Sequence, residues 1–428
     1  MEERDLEKAL LVGVDTKEDK DFESSMKELG SLAEACNMKV VGMLTQNLPQ
    51  MNTAYYIGTG KLQEVKEFAE EIEADVIVFD NSLTPSQLRN LQNVIERPIL
   101  DRTTLILDIF SVRAKTREAK LQVETARLQY LLPRLVGMHK ALTRQGGGSG
   151  SMSNKGAGEK KLELDRRKIE QRITELKKEL EEVSKERETQ RKRRMESAIP
   201  KVSLVGYTNA GKSTIMNLMV EQFIQDEEKK VLEKDMLFAT LETSVRKIAI
   251  GNHKDFLLSD TVGFIHKLPH GLVKAFRSTL EEVKNADLLL HVVDFSDEDY
   301  KKHMEVTLET LKEMDAAGIP MLTIFNKADK TDMELPKVND DTIYMSAKQG
   351  TGLAELLKMI EAKVYQDVRD VYFMIPYNRG EVVSYLLANS TLIRQEFLEN
   401  GTLLKVNCKK EDRQRYREFL QEGWKEDE

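Results

Sequence analysis

The stretch "KVSLVGYTNAGKST" (201–214) decides what the middle of this chain becomes. A short apolar strand pattern runs into Gly-x-x-x-x-Gly-Lys-Ser, and a helical pattern follows. Gly206 and Gly211 permit backbone dihedrals and a close approach that a side chain would block. Successive N–H groups can then face phosphate oxygens at the mouth of a helix. Lys212 is placed to reach the β- and γ-phosphates, and the Ser213 hydroxyl to ligate Mg²⁺. The pattern predicts a phosphate-binding loop with Gly206, Tyr207, Thr208, Asn209, Ala210, Gly211, Lys212, Ser213 and Thr214 as its contact residues.

Further motifs arrive in the order a guanine-nucleotide site requires. "FLLSDTVG" (256–263) is a strand ending in Asp260, placed to hold the metal through water. Gly263 follows, and its N–H can meet the γ-phosphate. "MLTIFNKAD" (321–329) is a strand ending in Asn326, Lys327, Ala328 and Asp329. The Asp329 carboxylate can accept both the N1–H and the exocyclic N2–H of guanine. Adenine has a ring acceptor and no amino group at those positions, so it would leave the carboxylate unpaired. "YMSAKQG" (344–350) adds Ser346, Ala347 and Lys348, with the backbone N–H near Ala347 directed at guanine O6. In "LFATLETS" (237–244), Thr240 is the candidate switch threonine that joins Mg²⁺ when the γ-phosphate is present, with Thr243 its nearest rival. Lys212, Thr240 and Gly263 are thus the candidate catalytic groups, and Ser213, Thr240 and Asp260 the candidate metal ligands. An ATP-driven RNA-remodelling role is a rival that Asp329 disfavours.

Outward from this P-loop domain the pattern changes twice. Residues 9–15, 39–45 and 75–80 read as apolar strands, with helices from 61–73 and from Thr84 between and after them. That alternation predicts a small parallel α/β domain over 1–110. "GTGKL" (58–62) lacks the spacing of a phosphate loop and reads as a strand–helix turn. From Thr104 to Leu135 no Gly or Pro interrupts until Pro133, and Leu121, Leu128 and Leu135 recur at sevens. Beyond "GGGSGSMSNKGAG" (146–158), Leu162, Ile169, Leu176 and Val183 fall at one heptad position, and Ile173 and Leu180 at the other. Glycine weakens helices by roughly 1 kcal/mol per position, so the tip is expected to be non-helical. Residues 111–198 therefore form an antiparallel helical hairpin. The G domain spans 199–366. The remainder, 367–428, reads as a small α+β domain with strands at 371–375, 391–398 and 402–408 and helices at 380–388 and 410–420.

Composition bounds the class of protein. At 428 residues the chain should hold several domains. Charged residues are 32% of the total, against about 25% on average, which suits long solvated helices. Net charge is −8, so polyanion contact must be local. Residues 112–145 carry eight Lys/Arg against two Glu, and 185–194 carry six against two. Those stretches are either solvated helix faces or phosphate-backbone contacts. Cys36 and Cys408 lie far apart and suggest free thiols in a reducing cytosol. Neither a targeting segment nor an apolar run of about 18–20 residues is present, so membrane insertion is not expected and the protein reads as cytoplasmic. A monomer is expected. His266 and His270 have Pro269 between them and no acidic or thiol partner at metal-ligand spacing, so they are not read as a zinc site. Trp424 reads as a packing residue.

These motifs together resemble the HflX family of translation-factor-class GTPases. "GYTNAGKST", "DTVGFIHKLPHGLVKAFRSTLEE" (260–282), "NKAD", "RPILDRTTLILDIF" (97–110), "LTRQGGG" (142–148) and "GEKKLELDRR" (158–167) carry the resemblance, which covers nearly the whole chain. It implies a ribosome-associated GTPase that contacts the large subunit and can separate 70S ribosomes into subunits, binding GTP and GDP with Mg²⁺. It also implies that the hairpin tip approaches ribosomal RNA, through Arg144, Gly146, Gly147, Gly148, Ser149 and Lys155. The alternative is a GTP-switched RNA-binding factor for large-subunit assembly without splitting activity. Two departures stand out. Glu242-Thr243-Ser244-Val245-Arg246 replaces a proline-containing switch motif, and the tip is longer and ends Lys155-Gly156-Ala157-Gly158. They point either to neutral drift or to a specialised paralogue that displaces an antibiotic.

Phe264 stands where Ras-like enzymes carry a water-orienting glutamine. A phenyl ring cannot orient water, although the family resemblance makes an apolar residue normal here. The ring is expected to fold into an apolar pocket, leaving a slow enzyme that the ribosome stimulates. Asn209 resembles the loop asparagine of potassium-stimulated GTPases, which makes K⁺ a second candidate cofactor in place of an arginine finger. The competing reading is that Asn209 only stabilises the loop turn.

Overall fold

Strand β1 (Glu7–Asp15) buries six consecutive residues, the mark of a strand covered on both faces. The computed structural model describes residues 6–16, 21–145, 152–195, 199–223, 238, 244–250, 254–267, 282–365, 369–408 and 410–421. After β1 come α1 (Phe22–Ala35), β2 (Met38–Asn47), α2 (Thr59–Glu71), β3 (Val76–Phe79), α3 (Pro85–Ile95), β4 (Ile99–Asp101) and α4 (Arg102–Arg113). The strands pair in parallel in the order β2-β1-β3-β4. Chain direction across the sheet reverses between β1 and β3, and the crevice at their carboxyl ends is where α/β sheets bind ligands. Asp80 lies there, directly after β3. Helix α3 starts where local chemistry dictates, since Thr84 and Gln87 form a capping box ahead of Pro85.

The hairpin consists of α5 (Arg117–Gln145) and α6 (Met152–Met195). Arg172 meets Glu124 at 3.0 Å and Arg117 meets Glu179 at 3.4 Å, which sets the two helices antiparallel. Leu121, Ala126, Ile173 and Leu176 are buried on these helices, and Leu128 is only half-buried.

The expectation of a non-helical tip over 146–158 is corrected here. The stretch 104–135 is shared by two helices, because Ala114 turns extended and the Thr116 hydroxyl caps α5 by accepting the Ala119 N–H at 3.2 Å. Pro133 does not end α5, which continues to Gln145. Residues 152–158 are helical despite Gly156 and Gly158, since a penalty of about 1 kcal/mol per glycine is small beside the cooperativity of a 44-residue helix. Gly146, Gly147, Gly148 and Ser149 lie outside the described residues.

Next come β5 (Lys201–Gly206), α7 (Lys212–Phe223), β6 (Ser244–Ile248), β7 (Phe256–Asp260), β8 (Leu288–Asp294), α8 (Tyr300–Glu313), β9 (Met321–Asn326), β10 (Lys337–Asn339), β11 (Thr342–Tyr344) and α9 (Leu353–Val364). They build a seven-stranded sheet ordered β10-β11-β9-β8-β5-β7-β6. Its five central strands are parallel and both edge strands are antiparallel, so the carboxyl ends of β5, β7, β8 and β9 share one rim.

Beyond this sheet β12 (Arg369–Ile375), α10 (Gly380–Asn389), β13 (Thr391–Leu398) and β14 (Gly401–Cys408) form an antiparallel sheet with one covering helix. The expected helix over 410–420 is short, α11 (Lys410–Arg415). Phe419 then turns into the core, and β15 (Leu420–Gln421) bonds to the free edge of β12. Among the described residues no helix is long and apolar enough to cross a membrane.

One apolar cluster joins the first sheet to the phosphate-loop rim. Leu105, Ile106 and Phe110 share it with Tyr207, Phe238, Val262 and Ile265. The Phe110 and Phe238 rings meet edge to face at 4.7 Å.

Candidate functional site

The phosphate loop owes its shape to its two glycines. Gly206 has φ +145° and Gly211 φ +97°. A Cβ at Gly206 would lie 2.2 Å from the Val292 carbonyl oxygen, and one at Gly211 would lie 2.1 Å from Asn326 Nδ2. Lys212 is buried inside the turn, and its Nζ donates to the carbonyls of Gly206 (3.0 Å) and Tyr207 (2.8 Å). Burial pulls this ammonium down to about 8, with Asp260 acting in the opposite sense. His291, beneath the loop on β8, is held neutral at about 4 by burial and then by the Lys212 charge.

Ser213, in the first turn of α7, donates its hydroxyl to Asp260 Oδ2 at 2.7 Å. Asp260, at the end of β7, is fully buried. A hydroxyl and a carboxylate side by side are hard oxygen donors that suit Mg²⁺. Among the described residues no cluster of three or more His, Cys, Asp or Glu could hold a metal ion. Thr240, the expected third ligand, and its rival Thr243 lie outside the described residues.

Asn326 joins both ends of the site. Its amide donates to the Ala210 carbonyl at 2.9 Å, and its Oδ1 accepts the Ala347 N–H at 2.9 Å. The second bond ties the turn that carries Ala347 to the end of β9. Ser346 is buried, with its hydroxyl accepting the Gln349 N–H at 3.3 Å, and Lys348 is exposed. Lys327 adopts φ +58° and reaches Asp294 Oδ2 at 2.7 Å. Asp294 also accepts the Ser296 N–H at 3.1 Å and so caps the loop after β8. Asp329 is half-buried in the short turn that follows β9.

The segment after β7 closes onto the loop. Phe264 N–H donates to the Gly206 carbonyl at 3.2 Å, and Thr208 N–H to the Phe264 carbonyl at 2.8 Å. Gly263 is pressed so near that a Cβ on it would stand 2.7 Å from Thr208 Cα. The Phe264 ring is buried with Val205, Val283, Leu289 and Leu311, in the apolar pocket expected for it. Asn209 is exposed with φ +62°, and Thr214 is half-buried in the first turn of α7. Arg144 and Lys155 fall within the hairpin helices.

Several residues that touch this site were not legible in the sequence. Asp80 accepts Lys267 at 2.6 Å and Arg102 at 2.6 Å, and Arg102 also pairs with Glu28 at 2.7 Å. Arg102 Nη1 donates to the His266 carbonyl at 3.3 Å. The Tyr207 hydroxyl donates to Glu28 and accepts the His266 N–H at 2.8 Å. Behind the loop, a cavity of about 550 Å³ is walled by α1, by Tyr207–Ala210 and by the segment 294–299. Partners so distant in sequence leave no local pattern.

Three family models match successive parts of the chain. Residues 23–111 match a family described as GTP-binding GTPase N-terminal, 113–194 one described as GTP-binding GTPase middle region, and 201–327 one described as 50S ribosome-binding GTPase. A protein named GTPase HflX from Caldanaerobacter subterraneus subsp. tengcongensis is 43% identical over 418 residues, covering 97% of this chain and 94% of its own. Its namesake in Alkalihalophilus pseudofirmus is 44% identical over 402 residues, covering 94% and 93%. A solved GTP-binding protein from Sulfolobus solfataricus in complex with GDP aligns at TM-score 0.42 and 26% identity, covering 84% of this chain and 99% of that one.

Proposed function

The chain belongs to the HflX family of GTPases, and on that premise we propose that it is a slow GTP hydrolase that binds the large ribosomal subunit and separates 70S ribosomes. The observation that carries the nucleotide part is the bridge made by Asn326, which makes one unit of the phosphate loop and the two turns expected to read the base. In this reading Gly206–Thr214 cradle the phosphates and Lys212 neutralises the β- and γ-groups. Asp329 selects guanine, while Lys327, Ser346, Ala347 and Lys348 complete the base pocket. Ser213 and Asp260, with Thr240, would hold Mg²⁺, which supplies charge neutralisation on the transferred phosphoryl group. Gly263 and Thr240 then respond to the γ-phosphate.

Nothing at position 264 orients the attacking water, because that ring is buried elsewhere. A low intrinsic rate, raised by the ribosome, follows. The exposed Asn209 favours a further contribution from K⁺. We take residues 1–110, 111–198, 199–366 and 367–428 as the working units, with the hairpin tip (Arg144, Gly146–Ser149, Lys155) as the part that meets ribosomal RNA. The protein would act as a monomer in the cytoplasm.

Two assays test this. GTP hydrolysis is measured with and without large subunits, in K⁺ and in Na⁺; equal rates in all four conditions would refute stimulation and cation dependence. Sucrose-gradient profiles of 70S ribosomes are recorded with GTP and with GDP. Dissociation with GTP alone supports splitting, whereas binding without dissociation supports the assembly-factor alternative.

A further inference from the structure

Tyr207 follows the first glycine of the phosphate loop, and its contacts lead away from that loop. Its carbonyl accepts Lys212 Nζ at 2.8 Å. Its backbone is bridged to Phe264 through the Gly206 carbonyl and the Thr208 N–H. Its hydroxyl accepts the His266 N–H at 2.8 Å and donates to the Glu28 carboxylate. Its ring lies on His303 at 4.0 Å and 13°. Burial, then the Glu28 charge, raises the phenol well above its ordinary value, so it stays a donor across the working range. One residue therefore touches the lysine expected on the phosphates and also the segment that carries Gly263.

We propose that Tyr207 is a positioning residue for GTP hydrolysis, its hydroxyl clamping His266 so that the Gly263 N–H keeps a set place relative to Lys212. The inference rests on the reading of the site as a GTPase centre. It also supplies a reason for the aromatic residue. Without a glutamine at position 264, alignment depends on the backbone of 263–266, and that backbone needs an external anchor. Glu28 provides one, because it is itself held by Arg102 at 2.7 Å. Other ties of this segment to the N-terminal sheet, Lys267 to Asp80 and Arg102 to the His266 carbonyl, do not involve the tyrosine. Losing the hydroxyl thus loosens the segment from the loop without freeing it from the sheet.

The test is Tyr207→Phe in the full-length chain, which keeps the ring, the stack on His303 and every backbone bond. Steady-state GTP hydrolysis and calorimetric GDP affinity are measured together. The expected result is a kcat about tenfold lower, the scale of one lost hydrogen bond, with KM and GDP affinity within about twofold of the parent. Glu28→Gln keeps an oxygen to accept the phenol and is expected to lose less than Tyr207→Phe. An unchanged or raised kcat in Tyr207→Phe would overturn the proposal. So would kcat and GDP affinity falling together, since that is the signature of a distorted loop. If the parent protein binds GTP but does not hydrolyse it, it is the GTPase reading that fails.

Discussion

At the scale of single residues, the site is a set of hydrogen-bond complements. Asp329→Asn replaces a double acceptor by a group that must donate. Two charge-assisted bonds to guanine are lost, so GTP affinity is expected to fall about a hundredfold or more, with xanthine nucleotides gaining in relative preference. Calorimetry with both nucleotides checks this. Lys212 makes a second, pH-dependent prediction. Burial holds it at about 8, down from 10.5. The charged form is the one that binds phosphate, so nucleotide affinity is level below that value. It falls as pH rises through it, approaching tenfold per pH unit. Lys212→Ala should bind weakly at every pH, with that slope absent.

Secondary-structure elements obey local chemistry until a long-range partner outbids it. Thr84, Pro85 and Gln87 set the start of α3 through a local capping box. The stretch 104–135 has no Gly or Pro to mark the break at Ala114, where the chain turns extended before Thr116 caps α5 and α4 keeps its apolar side chains in the core. Residues 416–421 show the same effect at the other end of the chain. Expected as helix to 420, they tighten into a 3-10 turn over Arg417–Phe419 that brings Phe419 into the core, and Leu420 and Gln421 pair with β12. Within the hairpin, Leu176 is fully buried. Leu176→Ala is expected to cost about 2–4 kcal/mol of stability, read from urea denaturation followed by circular dichroism. A loss below about 0.5 kcal/mol would mean that the two helices do not pack along this seam.

Across the whole molecule, the N-terminal sheet presents its ligand crevice to the G domain. Asp80 is fully buried there, with Arg102 and Lys267 as its partners. Burial would raise this carboxyl, but the two cations outweigh it and hold it below the ordinary range. A carboxyl lowered on folding contributes stability that is present above its unfolded value of about 3.9 and is lost as pH falls through the folded one. Asp80→Asn leaves Arg102 buried beside one carboxylate in place of two and is expected to cost about 3 kcal/mol at neutral pH. The variant should also lose part of the acid sensitivity, as urea titrations at pH 3 and pH 7 would reveal.

The sequence by itself determined the P-loop α/β class, the order of the nucleotide motifs and the hairpin. These depend on periodicity and on glycine, capping and carboxylate chemistry confined to a few adjacent residues. Only the tertiary structure decided that Asn326 holds the Ala347 N–H and that Glu28, Asp80 and Arg102 reach the segment 264–267 after β7. Those contacts join residues from about 20 to more than 180 positions apart. Their energy comes from desolvated partners that meet only after separate cores have formed, and no local pattern encodes such a meeting.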